Sequence, residues 1–326
     1  MSIRHFIRLA AHIQMLPVLE SGEEETLVGG QAVMEGVMMR APHSYCVSVR
    51  RPNGEIVSDT KSLERLSEKH PILRFPLLRG VGTLAQAMTL GIRALRFSAN
   101  AALDEGDPKK KPTEISPWVM GLNLAFSLAF FIFLYKFVPL WLATRLGDWV
   151  PAIKGQIFFN LTDGLIRMAI FLSFLYAISR WKDIRRVFEY HGAEHRVVFN
   201  YESGQPLTVE NAQKFVTFHP RCGTSFLLVV MLVAIGVYTL VPFQGFTARL
   251  ISRIVLLPVI AGVSYEVIRY AARRRRGLMA AMTQPGLWLQ RITTQPPSDD
   301  QTAVAIHALE GAMELEKAQG GELVIA

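Results

Sequence analysis

A chain of 326 residues that is 50% hydrophobic and 19% charged, with a mean hydropathy of +0.25, has the composition of a membrane protein with a sizeable polar portion. The net charge of +8 is placed beside apolar runs, at Arg180, Lys182, Arg185 and Arg186 and again at Arg273 to Arg276. That placement suits anionic lipid headgroups and topology signals and excludes nucleic acid as the expected partner. Two cysteines, Cys46 and Cys222, exclude a disulfide framework.

Residues 1–26 read as poorly structured, and their apolar stretch is too short for a signal peptide. Residues 27–70 read as a small β-containing cytoplasmic unit. Gly29, Gly30 and Gly36 imply tight turns or close backbone approach. Residues 45–50 alternate like a strand, and Asn53-Gly54 is a hairpin turn before Glu55-Ile-Val-Ser. Glu35, in the glycine-bounded stretch, is expected in a turn or a salt bridge to Arg40. Residues 71–103 are apolar but carry Arg74, Arg79, Arg93 and Arg96, which predicts an interfacial amphipathic helix, with a re-entrant segment as the alternative. Residues 104–116 form a hydrophilic linker.

Residues 117–272 contain four predicted transmembrane helices, at about 117–143, 156–178, 224–241 and 250–271. Asp163 and Arg167, one turn apart, are a predicted mutual pair. The basic stretches flank the spans so that both termini and the loop 180–223 are cytoplasmic, as in a multi-pass protein of the bacterial inner membrane. Residues 273–326 form a cytoplasmic C-terminal segment, polar and less regular after Gly277. Ser298 with Gln301 forms a capping box that opens a helix to about Lys317.

The loop 180–223 carries the chemistry. His191-Gly-Ala-Glu194-His195 reads H-x-x-E-H, the inverted zinc-peptidase pattern. Two imidazoles four residues apart share a helix face and can hold one divalent metal ion, zinc foremost. Glu194 lies where a carboxylate can act as general base. A catalytic zinc needs a third ligand. The candidates are His219 and Cys222, in Phe218-His-Pro-Arg-Cys-Gly223, and Glu266, an ionisable residue inside the fourth helix. Glu266 has the sense and separation of the downstream glutamate in soluble inverted zinc peptidases, an analogy across different folds. Arg221 is a candidate for binding an anionic substrate group.

Three stretches, Gly29-Gly-Gln-Ala-Val-Met-Glu-Gly-Val-Met-Met-Arg40, His191-Gly-Ala-Glu-His195 and His219-Pro-Arg-Cys-Gly-Thr224, resemble the YqhQ-like family of bacterial membrane proteins. Pro285-Gly-Leu-Trp-Leu-Gln290 extends the likeness, which runs from about Leu27 to Leu309. The resemblance implies a polytopic, metal-dependent membrane protein and names no substrate.

The expected fold is mainly α, a multi-pass helical membrane protein with about four spans, the small β unit and the interfacial helix. The leading function is a metal-dependent membrane hydrolase acting at headgroup depth on a membrane peptide or lipid headgroup. The alternative is a non-catalytic scaffold or assembly factor with a structural metal or none. A transporter ranks last, because few intramembrane polar groups are visible. Expected partners are the bilayer with its anionic headgroups and either a second copy of the chain or another membrane protein.

Overall fold

The computed structural model describes residues 28–64, 69–104, 116–219, 222–243, 245–273 and 278–319. The expectations for residues 1–26, for most of the linker at 104–116 and for Arg221 fall outside them. The chain is mainly helical, with a small N-terminal antiparallel sheet. Strands β1 (Gly29–Val33), β2 (Gly36–Arg40), β3 (Ser44–Arg50) and β4 (Ile56–Ser62) follow one another as a meander. The Asn53-Gly54 turn joins β3 to β4: Gly54 has φ +89°, and the Glu55 amide donates to Asn53 Oδ1 at 3.0 Å.

The glycine-rich stretch is also a hairpin, closed at the pair Val33–Gly36. Glu35 occupies its turn in the left-handed region, at φ +53°, a conformation that costs a non-glycine residue about 1 kcal/mol or more. Its carboxylate pairs with Arg186, not with Arg40, and accepts from the Tyr190 hydroxyl at 3.3 Å.

Alternate side chains of the sheet enter two cores, as the two-residue strand period requires. Val33, Met38, Tyr45, Val47 and Val49 face α1 (Leu78–Leu103), packing on Leu90, Ala94 and Ala101. Val37, Met39 and Cys46 face the opposite way, onto α5 (Lys182–Glu202) and the C-terminal helix α11 (Asp299–Ala318). The sheet is thus covered on both faces, which explains the unbroken apolar run Val37-Met38-Met39. Burying each such side chain contributes about 1.5–3 kcal/mol. α11 starts at the expected capping box on Ser298. At its other end Glu316 accepts from the His43 amide at 2.9 Å and from the Ser44 hydroxyl at 2.8 Å, tying the C-terminal segment to β3.

The apolar helices occupy the middle of the chain. α2 (Pro117–Ile132) continues through a π-helical turn, Phe133–Phe137, into α3 (Val138–Trp149), where Pro139 has no amide to donate. α4 (Gln156–Ser179) runs on into the motif helix α5. After a short α6 (Val209–Gln213) come α7 (Gly223–Leu240), α8 (Phe246–Val255) and α9 (Leu257–Arg273). All four expected spans are helical. By length and composition two of them can cross a membrane, Trp118–Trp149 and Gln156–Ser179, and three can if α8 and α9, bent by 51°, count as one. Pro258 explains that break, since it withholds a backbone donor in the first turn of α9.

The segment after Gly277, expected to be irregular, contains α10 (Leu278–Thr293) despite Pro285. Burial decides this: Leu289 packs with Phe171 of α4 and Leu228 of α7, and tertiary packing overrides a weak local preference.

Candidate metal centre

Helix α5 buries Tyr190, Ala193, Glu194, Val197 and Val198, the i, i+3, i+4, i+7, i+8 stripe of an amphipathic helix. Glu194 is the carboxylate inside that stripe, and His191 and His195 flank it. Two glycines make the packing feasible. A Cβ on Gly192 would lie 2.0 Å from the Gln295 carbonyl oxygen, and one on Gly30 would lie 2.7 Å from Glu194 Cγ. Strand β1 therefore passes directly over Glu194, and the Gly30 amide donates to its carboxylate.

Both imidazoles are held by backbone carbonyls. His191 Nδ1 lies 2.7 Å from Thr293 O and His195 Nδ1 lies 2.5 Å from Thr217 O. A carbonyl only accepts, so each Nδ1 carries the proton and each Nε2 presents a lone pair. This is the outer-shell arrangement that orients metal-binding histidines. Cys222, the N-cap of α7, places Sγ 3.3 Å from His191 Nε2. Glu194 Oε2 lies 3.8 Å from both Nε2 atoms. Ligand atoms around a tetrahedral zinc sit about 3.3–3.6 Å apart, so the spacing of His191, His195 and Cys222, all within 4.8 Å, fits one ion. The buried Nε2 of His195 has no hydrogen-bond partner, an orphaned lone pair that a cation would satisfy.

Burial sets the protonation of the group. It lowers the pKa of His191 against the opposing Thr293 bond, lowers that of His195 well below the ordinary value with help from His191 and His219, and lowers that of His219 to about 4. Burial likewise raises Glu194 to about 8, opposed by the Gly30 amide, and raises the Cys222 thiol to about 11 with a contribution from Glu194. The histidines are thus neutral and ready to ligate. A bound cation would draw the proton from the thiol, since thiolate is the ligating form.

The site opens into a cavity of about 590 Å³ lined by Gly29 to Ala32 of β1, by Arg40 and by Val187, Phe188 and Val198 of α5. That is the size of a small-molecule or peptide-segment pocket.

The structure therefore brings together His191, Glu194, His195 and Cys222. His219 stands beside them, its ring centroid 5.6 Å from that of His195, but its Nε2 faces Glu202 Oε2 at 3.5 Å. Glu266 is not brought in: its carboxylate is clasped by Arg79 at the first turn of α1, with Arg79 Nε at 2.6 Å. It follows α1 because Gly80 lets that helix close on Tyr265 of α9. Sequence reasoning missed the carbonyls of Thr217 and Thr293. It also missed Gln290, whose side-chain amide bonds both the amide and the carbonyl of His219, at 2.7 and 2.8 Å. No residue-type signal marks a carbonyl, whereas Gly30 was readable as a point of close approach; Gly192 went unread inside the motif.

A family model described as "Protein of unknown function (DUF1385)" matches residues 75–315. The chain is 36% identical over 306 residues to "Uncharacterized protein YqhQ" of Bacillus subtilis (strain 168), covering 88% of this chain and 92% of that protein. No solved structure matches.

Proposed function

We propose that this chain, which belongs to the DUF1385 family, is a metal-dependent hydrolase of the bacterial cell membrane, with His191, His195 and Cys222 holding a divalent cation, zinc foremost. The observation that carries the reading is the opening of this ligand set into a 590 Å³ cavity, because a structural zinc site is closed by four protein ligands. When bound, the cation supplies Lewis-acid polarisation of a carbonyl or phosphoryl oxygen. A cation beside Glu194 would offset the burial that raises its carboxyl to about 8 and hold it as the carboxylate, which takes the proton from the attacking water and returns it to the leaving group, so atoms and charge balance over the cycle. Thr293 and Thr217 fix the two imidazoles. The edge strand β1 forms a wall of the cavity and offers backbone groups to an extended peptide or headgroup.

Membrane residence is supported by the bare apolar surface of α2, where Trp118, Leu122 and Phe126 are 87%, 73% and 71% exposed. The basic flanks support a cytoplasmic side for the motif helix, the sheet and α11. A second reading follows from one distance. Glu194, 3.8 Å from both Nε2 atoms, could swing in as a fourth ligand and close the site as a structural centre of a scaffold.

Cobalt substitution separates the two. In the hydrolase, the cobalt-loaded protein shows a thiolate charge-transfer band that Cys222→Ala removes, Glu194→Gln retains cobalt, and acetohydroxamate perturbs the visible d–d bands by entering an open position. Loss of cobalt in Glu194→Gln together with no response to acetohydroxamate would establish the closed, structural site.

A further inference from the structure

A second polar cluster lies near the N-terminal end of α4, the end remote from the motif helix. Asp163 and Arg167 form the expected pair, and Arg253 of α8 reaches the same Asp163 oxygen at 3.1 Å. The three side chains are buried, at 1%, 4% and 1% exposure. One carboxylate thus faces two guanidinium groups that remain protonated at any working pH. Arg249, one turn before Arg253, adds a third. It lies 3.8 Å over the Phe159 ring and donates to the Phe243 carbonyl, and it meets no carboxylate among the described residues. Excess positive charge out of water is unfavourable unless a counter-charge joins it.

Beside this cluster is a cavity of about 140 Å³ lined by Arg253, Arg249, Lys154, Asn160, Ser252 and Tyr238 among others. Its neutral donors are already engaged. Tyr238 donates to Arg253 O at 3.0 Å, Ser252 to Arg249 O at 2.8 Å, and Asn160 Nδ2 to Gln156 O and Tyr238 O at 2.9 and 3.1 Å. Of the charged donors that line it, the Nε of Arg253 is buried without a partner; behind it, away from the lining, Nε and Nη1 of Arg167 and Oδ1 of Asp163 also lack partners. A cavity whose lining charges are all cationic, with a spare guanidinium N–H on Arg253, suits an oxyanion.

We propose that this cavity binds a phosphate-class oxyanion, with Arg253 at its floor and Arg249 and Lys154 at its mouth. At about 30 Å³ per liquid water, the space holds one phosphate group with a water or two. Two sources supply that chemistry, free phosphate or the headgroup of an anionic phospholipid, whose chains would lie along the neighbouring Leu240 and Phe243, 83% and 54% exposed. The inference is independent of the metal reading.

The test uses the full chain in a nonionic detergent and two probes. Inorganic phosphate is titrated at constant ionic strength against chloride while thermal unfolding is followed. Phosphatidylglycerol and phosphatidylcholine are offered in mixed micelles and retained lipid is read by native mass spectrometry. Arg253→Gln removes a partner of the buried Asp163 and puts folding itself at risk, so the decisive variant is Arg249→Gln/Lys154→Gln at the mouth. A phosphate-dependent rise in Tm, with an apparent Kd about tenfold weaker in the variant, supports the site and identifies a free oxyanion. No phosphate effect but selective phosphatidylglycerol adducts that the variant loses supports the same site filled by a lipid headgroup. No response to either probe, or a response unchanged in the variant, overturns the proposal.

Discussion

Gly192 sits between the two histidines proposed as metal ligands, and Gly192→Ala is the sharpest test of how they are held. The added Cβ would lie 2.0 Å from Gln295 O and 3.2 Å from Thr217 Cγ2. Ordinary contact needs about 3.4 Å or more, so the 293–295 segment must retreat by about 1.4 Å, and overpacking of this kind costs about 1–3 kcal/mol. Alanine in a helix recovers at most about 1 kcal/mol of that. The clash wins, because the obstacle is backbone: the Gln295 amide is itself anchored to Phe188 O at 2.9 Å. The displaced segment carries Thr293 O, the partner of His191 Nδ1, and losing such an outer-shell bond weakens metal affinity about 10- to 100-fold. The assay is zinc competition against a chromogenic chelator, with thermal unfolding in parallel. Gly236→Ala, where a Cβ meets nothing within 4 Å, is the control and should leave affinity unchanged. A Gly192→Ala affinity within twofold of wild type would refute the claim that this contact sets the site.

Other substitutions discriminate between residues that sequence reasoning ranked together. Glu266→Gln should retain full metal content, because its partner is Arg79; with the pair's side chains 28% and 24% exposed, its stability should fall by only about 1 kcal/mol or less. Glu35→Gly should change stability by less than about 1 kcal/mol, since relief of the left-handed conformation offsets loss of a half-exposed ion pair. Glu316→Ala should destabilise by roughly 1–2 kcal/mol, because it strands the His43 amide, while the Ser44 hydroxyl keeps the Ala312 carbonyl as acceptor; unfolding by denaturant reads this directly. Burial pushes the Glu316 pKa up, but bonds from Ser44 and His43 outweigh it and hold the group below the ordinary value of 4.5. Its contribution is therefore present above that value and lost as pH falls through the lowered one, so an acid titration of stability should be flatter below pH 4.5 in the variant.

The local features of the fold were legible because short-range chemistry sets them. The Asn53-Gly54 turn, the Ser298 capping box and the Asp163–Arg167 pair each lie within four residues of chain, and all three are present. His191 and His195 converge for the same reason, as neighbours on one helix face. Cys222 is different. It lies 31 residues from His191, and its approach depends on how the intervening chain folds back, which no periodicity encodes. Glu266 was favoured by analogy with another fold, and here the small residues of α1 draw that helix onto α9 and hand the carboxylate to Arg79. The closure of the sheet by α11 joins residues more than 260 positions apart, as in Ser44 to Ala312, and the C-terminal segment gives no local sign of it. Arg253 drew no reading from the sequence, because nothing near it in the chain marks its distant partner; the structure buries it against Asp163.

The central claim is that His191, His195 and Cys222 hold a metal ion. Elemental mass spectrometry of the purified full chain in mild detergent, for wild type and for His191→Ala/His195→Ala, tests it most directly. About one zinc or similar ion per chain in wild type, lost in the double variant, is the expected result. Metal absent from both proteins after reloading, or retained equally by both, would contradict it.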